Sequence, residues 1–328
     1  MKKIHIFTIS ICVVGLIVFL NSKFLNSNIR NTIILKKKLS EYNLFEGKMS
    51  DLIAVKEALP FDIASPLFTD YADKDRFILL PPGKKMKAKG TGLPDFPDGT
   101  IIAKTFYYNN RIQHNKQVRS ILETRLLIKH KSVWNVAVYK WNEAQNEAFL
   151  LENGENIPIS FVNGKGKSYS TVYKIPSRTD CISCHRQNDQ ALPIGPKIRN
   201  LNIDVYRNGY YINQLEYLNN REAFEPYLTS EIKQSIQYGN LSIPIKNRTI
   251  TYLDINCAHC HNPNGMAGYT GLDLRYESTI NNTELLSKYE KIAFRMTTSG
   301  SLHMPKIGTT IHHEEGIQLI MEYIKSLK

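Results

Sequence analysis

Asn256-Cys257-Ala258-His259-Cys260-His261-Asn262-Pro263 is the stretch on which the reading of this chain turns, and Cys181-Ile182-Ser183-Cys184-His185 repeats its pattern upstream. Both read C-x-x-C-H, the spacing at which a c-type haem is attached covalently. Two thiols three positions apart lie on one face of a helical turn, where each reaches one vinyl group of a porphyrin. The histidine that follows sits beneath the iron and supplies an axial nitrogen. The motifs therefore imply two covalently attached haem c groups, one on Cys181 and Cys184 and one on Cys257 and Cys260, with His185 and His261 as iron ligands. The fifth cysteine is Cys12, so no pair is left for a structural disulfide. The competing reading joins both C-x-x-C pairs into one four-thiolate zinc cluster. It leaves both trailing histidines without a role.

Downstream of His261 the order of elements completes a small helical unit, residues 246–328. Arg248 to Asn256 reads as a helix feeding into Cys257, and an Asn/Gly/Pro-rich loop runs from Asn262 to Gly271. Thr283 to Met296 is helical by its apolar spacing, with Leu285, Leu286, Tyr289, Ile292 and Phe294 as apolar positions. Met304-Pro305 then lies in a loop, and Ile311 to Leu327 forms a last amphipathic helix. Helix, C-x-x-C-H, helix, Met-Pro loop, helix is the order of a class I cytochrome c. Met304 is accordingly the expected distal iron ligand of the second haem, a thioether that fills the sixth position and suits electron transfer. Met296 reads as helix core, His303 as a neighbour of the site, His259 as solvent-facing, and His312 and His313 as surface residues.

Upstream, residues 176–245 form the first haem segment. Ser177 with Asp180 makes a capping-box-like start for a helix carrying Cys181, and Asn213-Gln214-Leu215 opens another. No methionine occurs between His185 and His261, so this haem has no sixth ligand in its own segment. His114, His130 and Met86 are candidates from outside it, each more simply read as a surface or core residue.

Residues 60–175 have a different texture. Prolines punctuate short alternating runs, among them Asp75–Leu80, Thr100–Tyr108, Leu122–Lys129, Trp134–Trp141, Phe149–Leu151 and Ile157–Val162. Asn109-Asn110 reads as a turn and Lys131-Ser132 as a hairpin connection. An antiparallel β-sandwich-like domain or partly closed barrel is expected. Glu123 and Arg125 share one strand face, where an ion pair on the sheet surface is the ordinary outcome and a pocket lining the alternative. Residues 23–59 read as a linker and short helices, with Leu44, Phe45, Leu52 and Ile53 buried.

Lys2 and Lys3 precede an apolar run from Ile4 to Leu20, so residues 1–22 read as a signal peptide or an uncleaved membrane anchor. The poor cleavage region after it favours the anchor, formed by residues 4–20. Both place the body outside the cytoplasm, in the periplasm, the compartment where c-type haem is attached in bacteria. The formal net charge of +12 suits an anionic protein partner or an anionic lipid surface. A nucleic-acid role is a weak reading, since the chain reads as exported and no binding motif accompanies the charge. The fold class is then α+β and multi-domain: an N-terminal signal or membrane helix, a β-sandwich-like domain, and an all-α class I cytochrome c-like domain.

With these residues in place, the chain resembles a family of uncharacterised bacterial di-haem c-type proteins in which a β-rich domain precedes two haem motifs. The likeness runs from about residue 39 to the end. It is carried by Leu39–Phe45, Ser65–Ala72, Phe96–Thr100, Glu123–Leu126, Trp141–Glu143, Pro193–Lys197, Asn200–Asn202, Asn213–Leu215 and Asn256–Pro263. A similar β-plus-first-motif module is attached to some quinoprotein sugar dehydrogenase-like chains, which implies, by analogy, a redox partner protein of that kind. The leading expectation is extracytoplasmic single-electron transfer. A peroxidase-like enzyme with an open first haem, and a β-domain binding module coupled to redox haems, are the two alternatives.

Overall fold

The computed structural model describes residues 33–188, 190–227, 232, 234–278 and 285–327. Residues 1–22, read as signal or anchor, lie outside them. No helix among the described residues is long and apolar enough to cross a membrane. The architecture is mixed α and β, and among the described residues the strands pair antiparallel, with one isolated parallel bridge between Met86 and Phe224.

The sheet follows the chain. Strands Leu59–Pro60 (β1), Asp73–Leu79 (β2), Ile101–Gln113 (β3), Lys116–His130 (β4), Val133–Trp141 (β5) and Ala148–Leu150 (β6) lie side by side in sequence order. The period-2 alternation decides which side chains meet. Ile78, Ile102, Phe106, Leu122, Val136 and Val138 fall on one face and join one apolar core. Phe77, Ala103, Leu126, Ala137, Tyr139 and Trp141 fall on the other and pack against Leu39, Leu44 and Leu52. Ile53, expected to be buried with them, is exposed.

A hairpin of Glu155–Val162 (β7) and Ser168–Ile175 (β8) joins the far end of β3 through Arg111 and Phe161. It lies across the first face, because the Tyr173 hydroxyl on β8 donates to Glu123 Oε1 on β4 at 2.6 Å although the two strands do not pair. Two layers thus arise from one connected sheet of eight strands. Lys131 and Ser132 form the expected hairpin turn, with φ of 48° and 63°. Asn109 and Asn110 do not turn. A register shift between Tyr108 and Arg111 absorbs them, and β3 continues to a turn at His114 and Asn115.

The segment that carries the first C-x-x-C-H motif is built onto the sheet. It comprises Arg178–His185 (α1), Arg186–Gln187 (β9), Gln190–Ala191 (β10), Ile198–Leu201 (α2), Asp204–Arg207 (β11), Tyr210–Asn213 (β12) and Gln214–Asn220 (α3). Cys181, Ile198, Leu201, Leu215 and Leu218 are buried in the same core as Ile102 and Val138.

Ile245–Asn256 (α4), Leu285–Thr297 (α5) and Glu314–Ser326 (α6) make the C-terminal unit. Its own core is Tyr252, Leu253, Leu319, Ile320, Tyr323 and Ile324, with Ile292 and Met296 packed on it. Phe294, expected among the apolar positions, is 55% exposed. The side chains of Leu285, Leu286 and Tyr289 lie outside the described residues. Helices α4 and α6 approach so closely at Gly316 that a Cβ there would collide with the Tyr252 ring.

Polar contacts dock this unit on the rest. The buried Asp254 carboxylate is 3.0 Å from Lys197 Nζ and 3.0 Å from an Arg199 guanidinium nitrogen. The Phe68 N–H donates to Asn256 Oδ1 at 2.8 Å. Asp70 accepts from the Thr310 N–H at 2.8 Å and the Thr310 hydroxyl at 2.7 Å. His313 stacks on Phe68 with ring centroids 4.1 Å apart, and the Tyr71 hydroxyl donates to Glu315 at 2.7 Å. His313 is therefore not a surface residue, whereas His312 is half-buried. The His312 ring donates to Thr298 O at 3.0 Å, and the His313 side chain is only 10% exposed.

Candidate cofactor-attachment site

Ser177 caps α1: its hydroxyl accepts from the Asp180 N–H at 3.0 Å, and the Ser177 N–H donates to the Asp180 carboxylate at 3.1 Å. This reciprocal cap starts the helix so that Cys181 and Cys184 fall on one face, and both line a cavity together with His185. Strands β2 to β4 form its floor through Arg76, Lys104 and Arg125. Pro193 to Pro196, Ile255 to Asn256 with His259, and the loop from Pro305 to Thr309 form its walls.

His185 Nδ1 lies 2.7 Å from Leu192 O. A carbonyl can only accept, so Nδ1 carries the proton and Nε2 keeps its lone pair. Burial lowers the His185 pKa to about 4, so the ring is neutral at pH 7.

The second motif follows α4 as a tight turn, with the His261 N–H donating to Cys257 O at 2.9 Å. The Asn262 side-chain amide donates to Ala258 O at 2.7 Å and ties the loop back onto it. Gly265 packs its backbone against Cys260 O, where a Cβ would clash. The Thr270 hydroxyl spends its hydrogen on Ala267 O at 2.7 Å and lies 3.2 Å from His261 Nδ1. The ring must therefore donate, which again leaves Nε2 unprotonated. Burial lowers this histidine's pKa too. A neutral imidazole whose Nδ1–H is fixed by an oxygen is the state in which histidine binds a metal.

The two motifs meet. The sulfurs of Cys184 and Cys260 and a ring nitrogen of His259 lie within 4.8 Å of one another. The hydrogen bond between the thiols raises the Cys184 pKa and lowers that of Cys260. Burial pushes Cys181 up to about 11 and Cys257 up to about 12. The Asn188 N–H adds a backbone bond to Asn264 O at 3.1 Å. His259, expected to face solvent, is half-buried on the cavity wall, where it interacts with the Cys184 thiol, and among the described residues its buried Nδ1 has no N or O hydrogen-bond partner. The motifs' local pattern reveals none of this, because 75 residues separate the two thiols (260 − 184 − 1 = 75).

Glu123 and Arg125 do pair, at 2.8 and 2.5 Å, but not on a surface. Glu123 is fully buried, and Arg125 is in the cavity floor, because α1 and the β7–β8 hairpin cover this face of β4.

Met304 is half-buried, with its N–H donating to Arg295 O at 2.9 Å. The loop it opens reaches the first motif's cavity through Pro305 and Ile307. Met86 is fully buried in the sheet core, and His114 sits in the β3–β4 turn. Neither these two nor His130 lines the cavity. Lys104 and Arg76 are the residues that sequence reasoning missed. The available signal was a charge at an inward position of an otherwise apolar alternation.

Searches against protein-family models, curated proteins and solved structures find no match to this chain.

Proposed function

We propose that the chain is a di-haem c-type cytochrome that passes single electrons outside the cytoplasm. Cys181, Cys184 and His185 hold one haem c, and Cys257, Cys260 and His261 hold the other. One observation carries the reading: in both motifs the trailing histidine has its Nδ1–H engaged by an oxygen, which leaves Nε2 unprotonated. A chance C-x-x-C-H has no reason to present two neutral imidazoles in the same tautomer.

Bound haem supplies reversible one-electron chemistry at iron. The chain's own residues do the rest. Leu192 O and Thr270 Oγ orient the two rings, α1 and the Cys257–His261 turn present the thiols, and Met304 is the residue that would help hold the second haem. Cys184 and Cys260 lie within 4.8 Å of each other, so haems held by the two motifs would be attached at neighbouring points of the chain, which supports the reading as an electron-transfer protein. The donor or acceptor is an acidic redox protein or a quinoprotein dehydrogenase, met in the periplasm by a chain held at the membrane through residues 4–20.

A pyridine haemochrome assay tests this on protein from cells that mature c-type haem. Two haems per chain are expected, and none would end the proposal. Reduced spectra that do not respond to carbon monoxide argue for electron transfer over a peroxidase-like reaction.

A second reading rests on the Cys184–His259–Cys260 cluster, whose two thiolates and one imidazole suit zinc or copper(I). A haem-free chain that copurifies with one such ion, and loses it in Cys184→Ser, would support that reading instead.

A further inference from the structure

Arg76 of β2, Lys104 of β3 and Arg125 of β4 are direct cross-strand partners in a single register row. All three line the cavity that holds Cys181, Cys184 and His185. Like charges opposed across strands repel, and removing them from water adds to the cost. Glu123 answers Arg125 alone. Asp62 is paired with Arg207 at 2.7 Å, and its charge and that of Asp75 reach Arg76 only from beyond ion-pair distance. Asp180, the acid on the cavity wall, is bonded by the Ser177 N–H and hydroxyl. Among the described residues, neither Arg76 nor Lys104 has a carboxylate within ion-pair distance. The Lys104 ammonium lies instead over the Phe106 ring, 4.7 Å from its centroid, and the Arg125 guanidinium is 4.2 Å from the same centroid. Burial and the neighbouring cations hold the Lys104 pKa well below the ordinary lysine value. Burial also lowers Arg76, to about 10.

We infer that the Arg76–Lys104–Arg125 row is an oxyanion-binding site aimed at the first motif and built to take carboxylate or similar charge. The inference rests on the reading of that motif as a haem attachment point. The charge has two sources of the same chemistry: the propionates of the porphyrin held by Cys181 and Cys184, or a small dissociable oxyanion delivered beside it. Both would cancel the cation surplus and fix what they bind against the sheet.

The test uses full-length, haem-matured wild type, Lys104→Met, Lys104→Arg and Arg76→Gln. Haem content, the two midpoint potentials, and absorbance titrations with nitrite, sulfite and inorganic phosphate are measured. Removing a cation favours the ferric state, so Lys104→Met and Arg76→Gln should shift one of the two potentials downward, and Lys104→Arg should restore it. Loss of one haem in Lys104→Met, recovered in Lys104→Arg, also supports the site. No saturable anion response in wild type assigns the charge to propionates. A saturable response that Lys104→Met abolishes assigns it to a free oxyanion. Two haems per chain, unshifted potentials and no anion response would overturn the inference and leave the haem reading standing. A wild-type chain without haem would overturn both.

Discussion

Glu123 shows what a single residue can and cannot announce. That Glu123 and Arg125 would pair was legible from their places on one strand face. Their depth was not, since β4 reads the same whether that face meets water or a covering hairpin, and Tyr173 lies too far along the chain to suggest itself as a third partner. The structure gives this trio a large energetic role. Glu123→Gln leaves the Arg125 guanidinium buried with no opposing charge, and removing one partner of such a pair costs about 3–5 kcal/mol. Tyr173→Phe removes one hydrogen bond to a charged acceptor, at about 1.5–3 kcal/mol. Urea denaturation of the two variants should rank them in that order. The reverse ranking would show that Arg125 is not held by Glu123.

At the scale of elements, β2 and β5 and the capped start of α1 were readable because each rests on local pattern: alternation, or a serine three residues before an acid. The continuation of β3 past Asn109 was not, because a bulge needs two strands to define it. Helix α6 depends on its neighbours in the same way. Gly316 is unremarkable in sequence, yet Gly316→Ala drives a methyl into the Tyr252 ring and should destabilise the fold by about 1–3 kcal/mol, the usual range for overpacking, as read by thermal melting. The start of α6 also sets a pH response. Burial lowers the His313 pKa from 6.5 to about 4. The folded chain therefore takes up this proton less readily than the unfolded chain, and stability is lost as pH falls from about 6.5 towards 4, on the order of 3 kcal/mol. Glu315 adds a lower window. Burial works to raise its pKa, but hydrogen bonds from Lys165 and Tyr71 hold it down to about 2, so its contribution is present above about 4.5 and disappears on approach to 2. Denaturation from pH 8 to pH 3 should show the upper loss in wild type and not in His313→Phe, which keeps the stack on Phe68.

For the whole molecule, the sequence supplied the list of parts but not their mutual placement. The residues that join the C-terminal unit to the sheet, Asp254 with Lys197 and Arg199 above all, are single charges with no pattern around them. Their pairing exists only once both units are folded. Burial of that triad is expected to couple the two units into one cooperative body. Asp254→Asn strips the carboxylate from two cations, so the helical unit should unfold ahead of the sheet. Calorimetry is expected to give one transition for wild type and two for the variant. A single transition in both would mean that the apolar contact alone couples the units.

On the proposed di-haem, exported reading, the meeting of Cys184 with Cys260 also sets an order of events in biogenesis. In an oxidising compartment two thiols at that separation are poised to become a disulfide, which would cross-link the sheet-bound segment to the helical unit and consume one attachment point of each motif. If the chain carries the haems proposed above, porphyrin ligation has to precede closure of the chain, or a reductant has to hold the pair open until it arrives. Chain secreted by cells without the haem-attachment machinery should carry this cross-link. Peptide mapping after alkylation would find Cys184 and Cys260 joined and Cys181 and Cys257 free.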